Sequence, residues 1–256
     1  MTEAVAAVVA SFAAAVVNAI AGGGGLVSLP ILFGIFPQAA PATLFGTNKS
    51  AMVWGTLWAS VSYARHVRLP WATLLPALAA AIAGGCLGAW LVTQVSGTWL
   101  RQALPVLLSV VLVATLLQPD LGRHHVPRHG PRAEAAWATL IAAVLGVYDG
   151  FFGPGTGSFL IFLLVRVLGF DFLHALAGSK VLNTATNLAS LAVFAWSGNV
   201  WWQLVPPMAV ANVLGSMLGT RLALRHGSRF IRLVFAAVVG ALILKTGYDA
   251  CMRPPP

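Results

Sequence analysis

Ten long apolar runs dominate this chain, and no other feature limits its fold as strongly. They cover roughly residues 4–20, 26–36, 41–63, 71–93, 99–117, 135–152, 156–168, 173–196, 202–224 and 230–248. Charged side chains make up 8% of the 256 residues and hydrophobic ones 59%. Soluble proteins carry about a quarter charged residues. A water-soluble domain of this size has no way to hide so much apolar surface. A bilayer accepts it on the outside, provided each segment satisfies its own backbone hydrogen bonds. The runs therefore predict an all-α integral membrane protein.

The 15 Lys and Arg against 6 Asp and Glu give a net charge of +9. Most basic residues stand at the ends of apolar runs, where they orient helices and meet anionic headgroups. No groove-reading motif accompanies them, so nucleic acid is not an expected partner. Cys86 and Cys251 form no Cys-x-x-Cys pair, so neither a disulfide nor a metal site is expected. The first run follows Glu3 rather than a basic stretch and has a counterpart later in the chain, so it reads as a helix and not as a cleaved signal. His124, His125 and His129 lie in a polar loop without an acidic partner, which makes a metal site there unexpected. The tail 254–256 is all proline and expected to be unstructured.

The chain repeats itself. Four glycines at 22–25 precede one short apolar run, and Gly-Pro-Gly-Thr-Gly at 153–157 precedes another. The offset is 153 − 22 = 131, and it also aligns Asn18 with Asp149, Lys49 with Lys180, Trp71 with Trp202 and Pro76 with Pro207. Gly84 and Gly88 meet Gly215 and Gly219; these read as small-residue packing sites between helices. Residues 1–117 form the first repeat and 135–250 the second, within one membrane domain. Residues 118–134, with Arg123, Arg128 and Arg132, form the basic linker between them.

Charge indicates how the halves relate. Arg65, His66 and Arg68 follow the run 41–63, whereas the equivalent loop at 197–199 has no charge. The next loop reverses this. It is uncharged at 94–97, but its counterpart holds Arg221, Arg225, His226, Arg229 and Arg232. Basic loops stay inside, so equivalent loops lie on opposite sides and the repeat is inverted. Inversion needs an odd number of crossings per half. Runs 41–63, 71–93 and 99–117 supply three, which leaves 4–36 and 135–168 as re-entrant helical hairpins broken at their glycine tracts. The arm 26–36 reaches about 17 Å, too short for a core about 30 Å thick. The linker is then cytoplasmic and both termini lie outside, although Lys245 and Arg253 oppose this arrangement. The alternative is eight spanning helices.

Each break exposes backbone N–H groups, and the helix that follows turns its positive end toward them, which favours an anion. Gly23, Gly24, Gly25, Gly155, Thr156 and Gly157 are therefore candidate substrate contacts. Lys49 and Lys180 lie several residues inside apolar runs. A charge at that depth costs about 2.5–3.5 kcal/mol or more. They read as cations for the anion unless they snorkel to the interface. Thr47, Asn48 and Ser179 add neutral donors. Asn183 and Asn187, at i and i+4, continue a polar stripe from Lys180. Asp149 is the sole carboxylate well inside an apolar run. It reads as the ion-coupling residue, for a proton or sodium, or as the partner of a basic residue. Its mate Asn18 cannot ionise, so coupling would be asymmetric. No nucleophile, paired-carboxylate or cofactor arrangement emerges, and an enzyme is not expected.

The stretch 146–159, Gly-Val-Tyr-Asp-Gly-Phe-Phe-Gly-Pro-Gly-Thr-Gly-Ser-Phe, resembles the second-half glycine signature of the sulfite exporter TauE/SafE family. Gly-Ser-Lys-Val-Leu-Asn at 178–183, Ser-Gly-Asn-Val at 197–200 and residues 22–30 are also similar to it. Thr47-Asn48-Lys49 departs from this pattern, being one residue longer than Ser179-Lys180. The resemblance implies a multi-pass permease of the cytoplasmic membrane with a small anionic substrate, such as sulfite or an organosulfonate like sulfoacetate. The expected mechanism is alternating access around a midplane site, with a passive anion channel on the same scaffold as the alternative.

Overall fold

The computed structural model describes residues 2–100, 106, 110 and 130–226. The run 230–248, nearly all of 99–117, the histidines of the linker and Cys251 lie outside the described residues. Every regular element among the described residues is a helix. They are α1 (Thr2–Ala21), α2 (Gly24–Ile35), α3 (Pro41–Ala64), α4 (Trp71–Gln94), α5 (Pro131–Phe151), α6 (Thr156–Arg166) and α7 (Phe172–Trp196). A further helix, α8, runs over 205–226.

Each helix follows an apolar run and starts where the local chemistry favours a start. Pro41 and Pro131 stand at the first helical positions of α3 and α5, where a missing N–H costs nothing. The Asp171 carboxylate caps α7, accepting from the N–H groups of Leu173 and His174 at 2.9 and 3.0 Å. Helix α5 opens at Pro131, so the linker gives up its last residues to the helix. Glu134 lies in that first turn, where the helix dipole favours a carboxylate. It accepts the Thr73 hydroxyl of α4 at 2.7 Å.

Helix lengths recur in order. α1 to α4 have 20, 12, 24 and 24 residues, and α5 to α7 have 21, 11 and 25. Three described helices, α1, α4 and α5, are long and apolar enough to cross a bilayer. At 1.5 Å per residue, α2 and α6 are about 16–18 Å long, roughly half a hydrocarbon core.

Polarity is reversed relative to a soluble protein. Trp54, Trp58, Leu75, Trp90, Val144, Leu188 and Leu214 are exposed, while Asn18, Lys49, Asp149, Lys180, Asn183 and Asn187 are buried. Lipid can receive the first set, and the protein interior must satisfy the second.

Close helix crossings rest on glycine, as small-residue packing in a bilayer requires. A Cβ on Gly84 of α4 would lie 2.6 Å from the Ala143 carbonyl oxygen of α5, and one on Gly146 of α5 would lie 2.9 Å from that of Ala81. Gly219 of α8 stands likewise against Val16 of α1, with 2.6 Å from a Cβ to the carbonyl oxygen. Helix α4 therefore lies on α5, α8 lies on α1, and α7 packs on α3, α4 and α6.

Candidate functional site

The two glycine breaks meet. Helix α1 stops at Ala21, and Gly22 continues with φ +82°, a conformation that an L side chain resists. Its N–H still closes the helix on the Asn18 carbonyl at 2.9 Å. Helix α5 stops at Phe151, and Gly153 and Gly155 have φ +94° and +79°. The second break is pinned by its own side chains. Tyr148 OH donates to the Pro154 carbonyl at 2.5 Å, and the Thr156 hydroxyl to that of Gly153 at 2.8 Å. Gly157, in the first turn of α6, is packed so closely on Gly22 that a Cβ there would sit 2.6 Å from the Gly22 Cα. The Ser158 hydroxyl joins the two tips by donating to the Ala21 carbonyl at 2.7 Å.

Each lysine reaches the break of the other half. Lys49 is the ninth residue of α3 and Lys180 the ninth of α7, so each lies about 12 Å along its helix. Lys49 Nζ stands 3.1 Å from Asp149 Oδ2 near the end of α5 and donates to Asn187 Oδ1 at 3.4 Å. Lys180, fully buried, donates from Nζ to the Asn18 carbonyl near the end of α1. Helix C-termini carry partial negative charge, and both ammonium groups sit at one.

Asp149 Oδ2 also accepts the Thr186 hydroxyl at 2.5 Å. That hydroxyl has a second acceptor in the Asn183 carbonyl at 3.0 Å. Asn187 donates to Asn183 Oδ1 at 3.4 Å, and Asn18 Nδ2 to the Thr56 hydroxyl at 3.3 Å. The Asn48 amide donates to the Met52 thioether at 3.2 Å, and its buried Oδ1 has no hydrogen-bond partner.

These groups surround a cavity of about 20 Å³, room for one water. Of the residues expected at a site, it brings together Asn18, Gly25, Asn48, Lys49, Asp149, Gly157, Asn183 and Asn187. Gly23, Gly24, Thr47, Gly155, Thr156, Ser179 and Lys180 do not line it. The Thr47 hydroxyl instead accepts the Trp201 N–H at 2.9 Å, and the Ser179 hydroxyl turns back to the Leu176 carbonyl at 2.8 Å. Lys180 lies one contact away, through Asn18. Gly22 and Gly153 also line the cavity, with an apolar wall of Leu29, Phe45, Met52 and Phe152. The glycine pair that fixes the repeat offset pointed to the first two; nothing in the run pattern singled out the wall. The Phe45 and Phe152 rings, one from each half, meet edge to face with centroids 6.1 Å apart.

Among the described residues, no group of three or more His, Cys, Asp or Glu could hold a metal ion. The site offers two ammonium groups, one carboxylate and neutral amides, with the first turns of α2 and α6 at its edge.

Comparison with known proteins agrees with a transporter. The chain is 34% identical over 237 residues to the probable membrane transporter protein ORF9 of Sinorhizobium sp, covering 93% of this chain and 89% of that one. It is 33% identical to a probable membrane transporter protein of Haemophilus influenzae, covering 93% and 92%. It is also 33% identical to the probable membrane transporter protein YfcA of Escherichia coli, covering 91% and 86%. No solved structure matches. Residues 7–246 match the family described as sulfite exporter TauE/SafE, and the chain belongs to that family of membrane transporters.

Proposed function

We propose that this protein is a secondary transporter that carries a small oxyanion, a sulfur oxyanion or organosulfonate, across the cytoplasmic membrane by alternating access. One observation carries the reading: two lysines cross between the halves to the ends of α1 and α5, beside a small cavity where both glycine breaks meet. With Lys180 protonated, two ammonium groups against one carboxylate leave one net positive charge near the cavity. A buried charge without a partner is costly, and a bound anion would offset it. The first turns of α2 and α6, with Gly25 and Gly157, add the partial positive charge of helix N-termini.

The crosswise contacts support a two-fold relation between the halves, which we read as an inverted repeat. Lys49 reaches Asp149 as Lys180 reaches Asn18, and α4 lies on α5 as α8 lies on α1. A two-fold axis between the halves would generate both pairs, and the swapped arginine loops set its direction in the membrane plane. The hairpins α1–α2 and α5–α6 are then re-entrant. Their longer arms begin with Glu3, and with Arg132 and Glu134, which places those first turns in the polar interface. Asp149 is the ion-coupling residue, with Asn18 its uncharged mate. A cavity narrowed to about the volume of one water supports a carrier over a passive channel.

Purified protein in liposomes tests the reading through uptake of radiolabelled sulfite and sulfoacetate. Lys49→Ala and Lys180→Ala are each expected to weaken apparent affinity at least about tenfold, or 1.4 kcal/mol. If neither changes uptake or affinity, the site assignment fails. Uptake that only follows the anion's own electrochemical gradient would favour the channel.

A further inference from the structure

We infer that Asp149 is the protein's internal stand-in for the transported anion, and that the anion takes its place on Lys49 as the Asp149 carboxylate takes up one proton. This rests on the anion-transport reading above and names the coupling ion and its route.

The cavity decides the first half of the inference. At about 20 Å³ it accepts a water but not a sulfur atom with three oxygens. Lys49 offers its ammonium to two oxygens, Asp149 Oδ2 at 3.1 Å and Asn187 Oδ1 at 3.4 Å. An arriving oxyanion needs those N–H donors, and the strongest acceptor now holding them is the carboxylate. Two anions within reach of one buried ammonium repel each other, so one must leave or be neutralised. Asp149 is fixed on α5 and only 2% exposed. A carboxylate stripped of its partner there is neutralised by protonation.

Among the described residues no other counter-charge pairs with it. From α3 it faces Lys49 alone. From α7 the titratable groups are Lys180, whose ammonium donates to the Asn18 carbonyl, and His174 in the first turn, beside Asp171. On α4 Cys86 donates to the Ala189 carbonyl, and α6 carries Arg166 in its last turn. On α5 itself Tyr148 donates to the Pro154 carbonyl, Glu134 accepts from Thr73, and Arg132 stands in the first turn, about 25 Å along the helix from Asp149. Thr186 is placed to accommodate the change. Its hydroxyl now donates to Asp149 Oδ2, and the Asn183 carbonyl at 3.0 Å stands ready as its alternative acceptor. Once Thr186 turns to that carbonyl, its oxygen can accept from the new carboxylic acid.

The same geometry selects a proton over sodium. The Lys49 ammonium already occupies the cation position 3.1 Å from Oδ2, and a metal cation there would face it across a few ångströms. In the exchange one O–H bond forms on Asp149, and the Lys49 N–H contacts pass from carboxylate to anion. No other bond changes. Proton and anion then move together, and with a monoanion the step is electroneutral.

Purified wild-type protein in lightly buffered detergent is mixed with sulfoacetate, whose charge is constant above about pH 6, and proton uptake is read with an indicator dye. One proton per bound anion is expected. Calorimetry is expected to give a dissociation constant that rises tenfold per pH unit on the alkaline side, because binding consumes a proton. Asp149→Asn is expected to abolish the proton uptake and flatten that slope. Binding without proton uptake by the wild type overturns the inference and leaves the transport reading standing. A slope that persists in Asp149→Asn also overturns it. Absence of binding to both sulfoacetate and sulfite would sink the transport reading and this inference together. Because the proton count uses the wild type, misfolding of the variant does not remove the test.

Discussion

Replacing Lys49 by methionine removes the ammonium and keeps most of the side-chain volume. At 3.1 Å the Lys49–Asp149 attraction amounts to about 5 kcal/mol at an effective dielectric constant of 20. Desolvation of both groups offsets much of that, so the pair as a whole stabilises the fold far less. The asymmetry appears when one partner is deleted. Lys49→Met leaves Asp149 with the Thr186 hydroxyl as its one remaining side-chain donor among the described residues, and a cost of about 3–5 kcal/mol is expected. Asp149→Asn is milder, because Lys49 keeps Asn187 Oδ1 and the substituted amide oxygen as neutral acceptors. The double variant Lys49→Met with Asp149→Asn removes both charges and is expected within about 1–2 kcal/mol of wild type. A double-mutant cycle, read by equilibrium unfolding in mixed micelles, should therefore give an interaction term of at least about 2–3 kcal/mol. If the two single losses add to within about 0.5 kcal/mol, the groups are independent, and the crosswise pairing of the halves loses its energetic basis.

Four further outcomes are expected. Gly22→Ala places a side chain at φ +82° and against the Gly157 and Ser158 backbone; the conformation alone costs about 1–2 kcal/mol, and both melting temperature and uptake should fall. Gly34→Ala, in a helix with nothing within 4 Å of the new Cβ, is the control and should be neutral or stabilising by about 0.5–1 kcal/mol. Gly88→Val drives a side chain into the Val147 carbonyl of α5, and more than about 3 kcal/mol of lost stability should appear in the unfolding titration, beyond ordinary overpacking. Lys180→Met removes a fully buried ammonium that has no ion-pair partner among the described residues, so the protein should be as stable as wild type or more stable, by up to about 4 kcal/mol, while uptake is lost.

Helix positions were legible because each apolar run had to satisfy its backbone alone, and the runs from 4 to 93 and from 135 to 196 reappear as α1–α4 and α5–α7 within a few residues. Asn183 and Asn187 were legible as a stripe, because i and i+4 share a helix face wherever the helix goes. Thr47 and Ser179 were not. A hydroxyl on a helix can bond to nearby backbone instead of a ligand, and Ser179 does so, while Thr47 is taken by a loop N–H from the other half. Nor was the partner of Lys49 readable. Asp149 is a hundred residues away, and its choice of Lys49 over Lys180 depends on how α3 and α5 approach, which no local periodicity encodes. The repeat offset carried more of the site than any single motif: it aligned Gly22 with Gly153 and Asn18 with Asp149, and all four line the cavity.

That last alignment bears on why a duplicated scaffold has an unsymmetrical centre. Both lysines use the same feature, the end of a helix stopped at a glycine, where exposed carbonyls carry partial negative charge. Among the described residues Lys180 donates to the Asn18 carbonyl, whereas Lys49 faces a carboxylate at the equivalent residue. A second carboxylate at Asn18 would pair both ammonium groups and leave the cavity neutral, with nothing for an anion to complete. No carboxylate at either place would leave the cations to the solute alone and provide no group to carry a proton. One Asp and one Asn leave a single positive charge for the anion and a single acid to exchange with it. On the proposed reading the two breaks divide the labour: their helix C-termini hold the lysines, their helix N-termini face the solute, and the one carboxylate sets when the solute can enter.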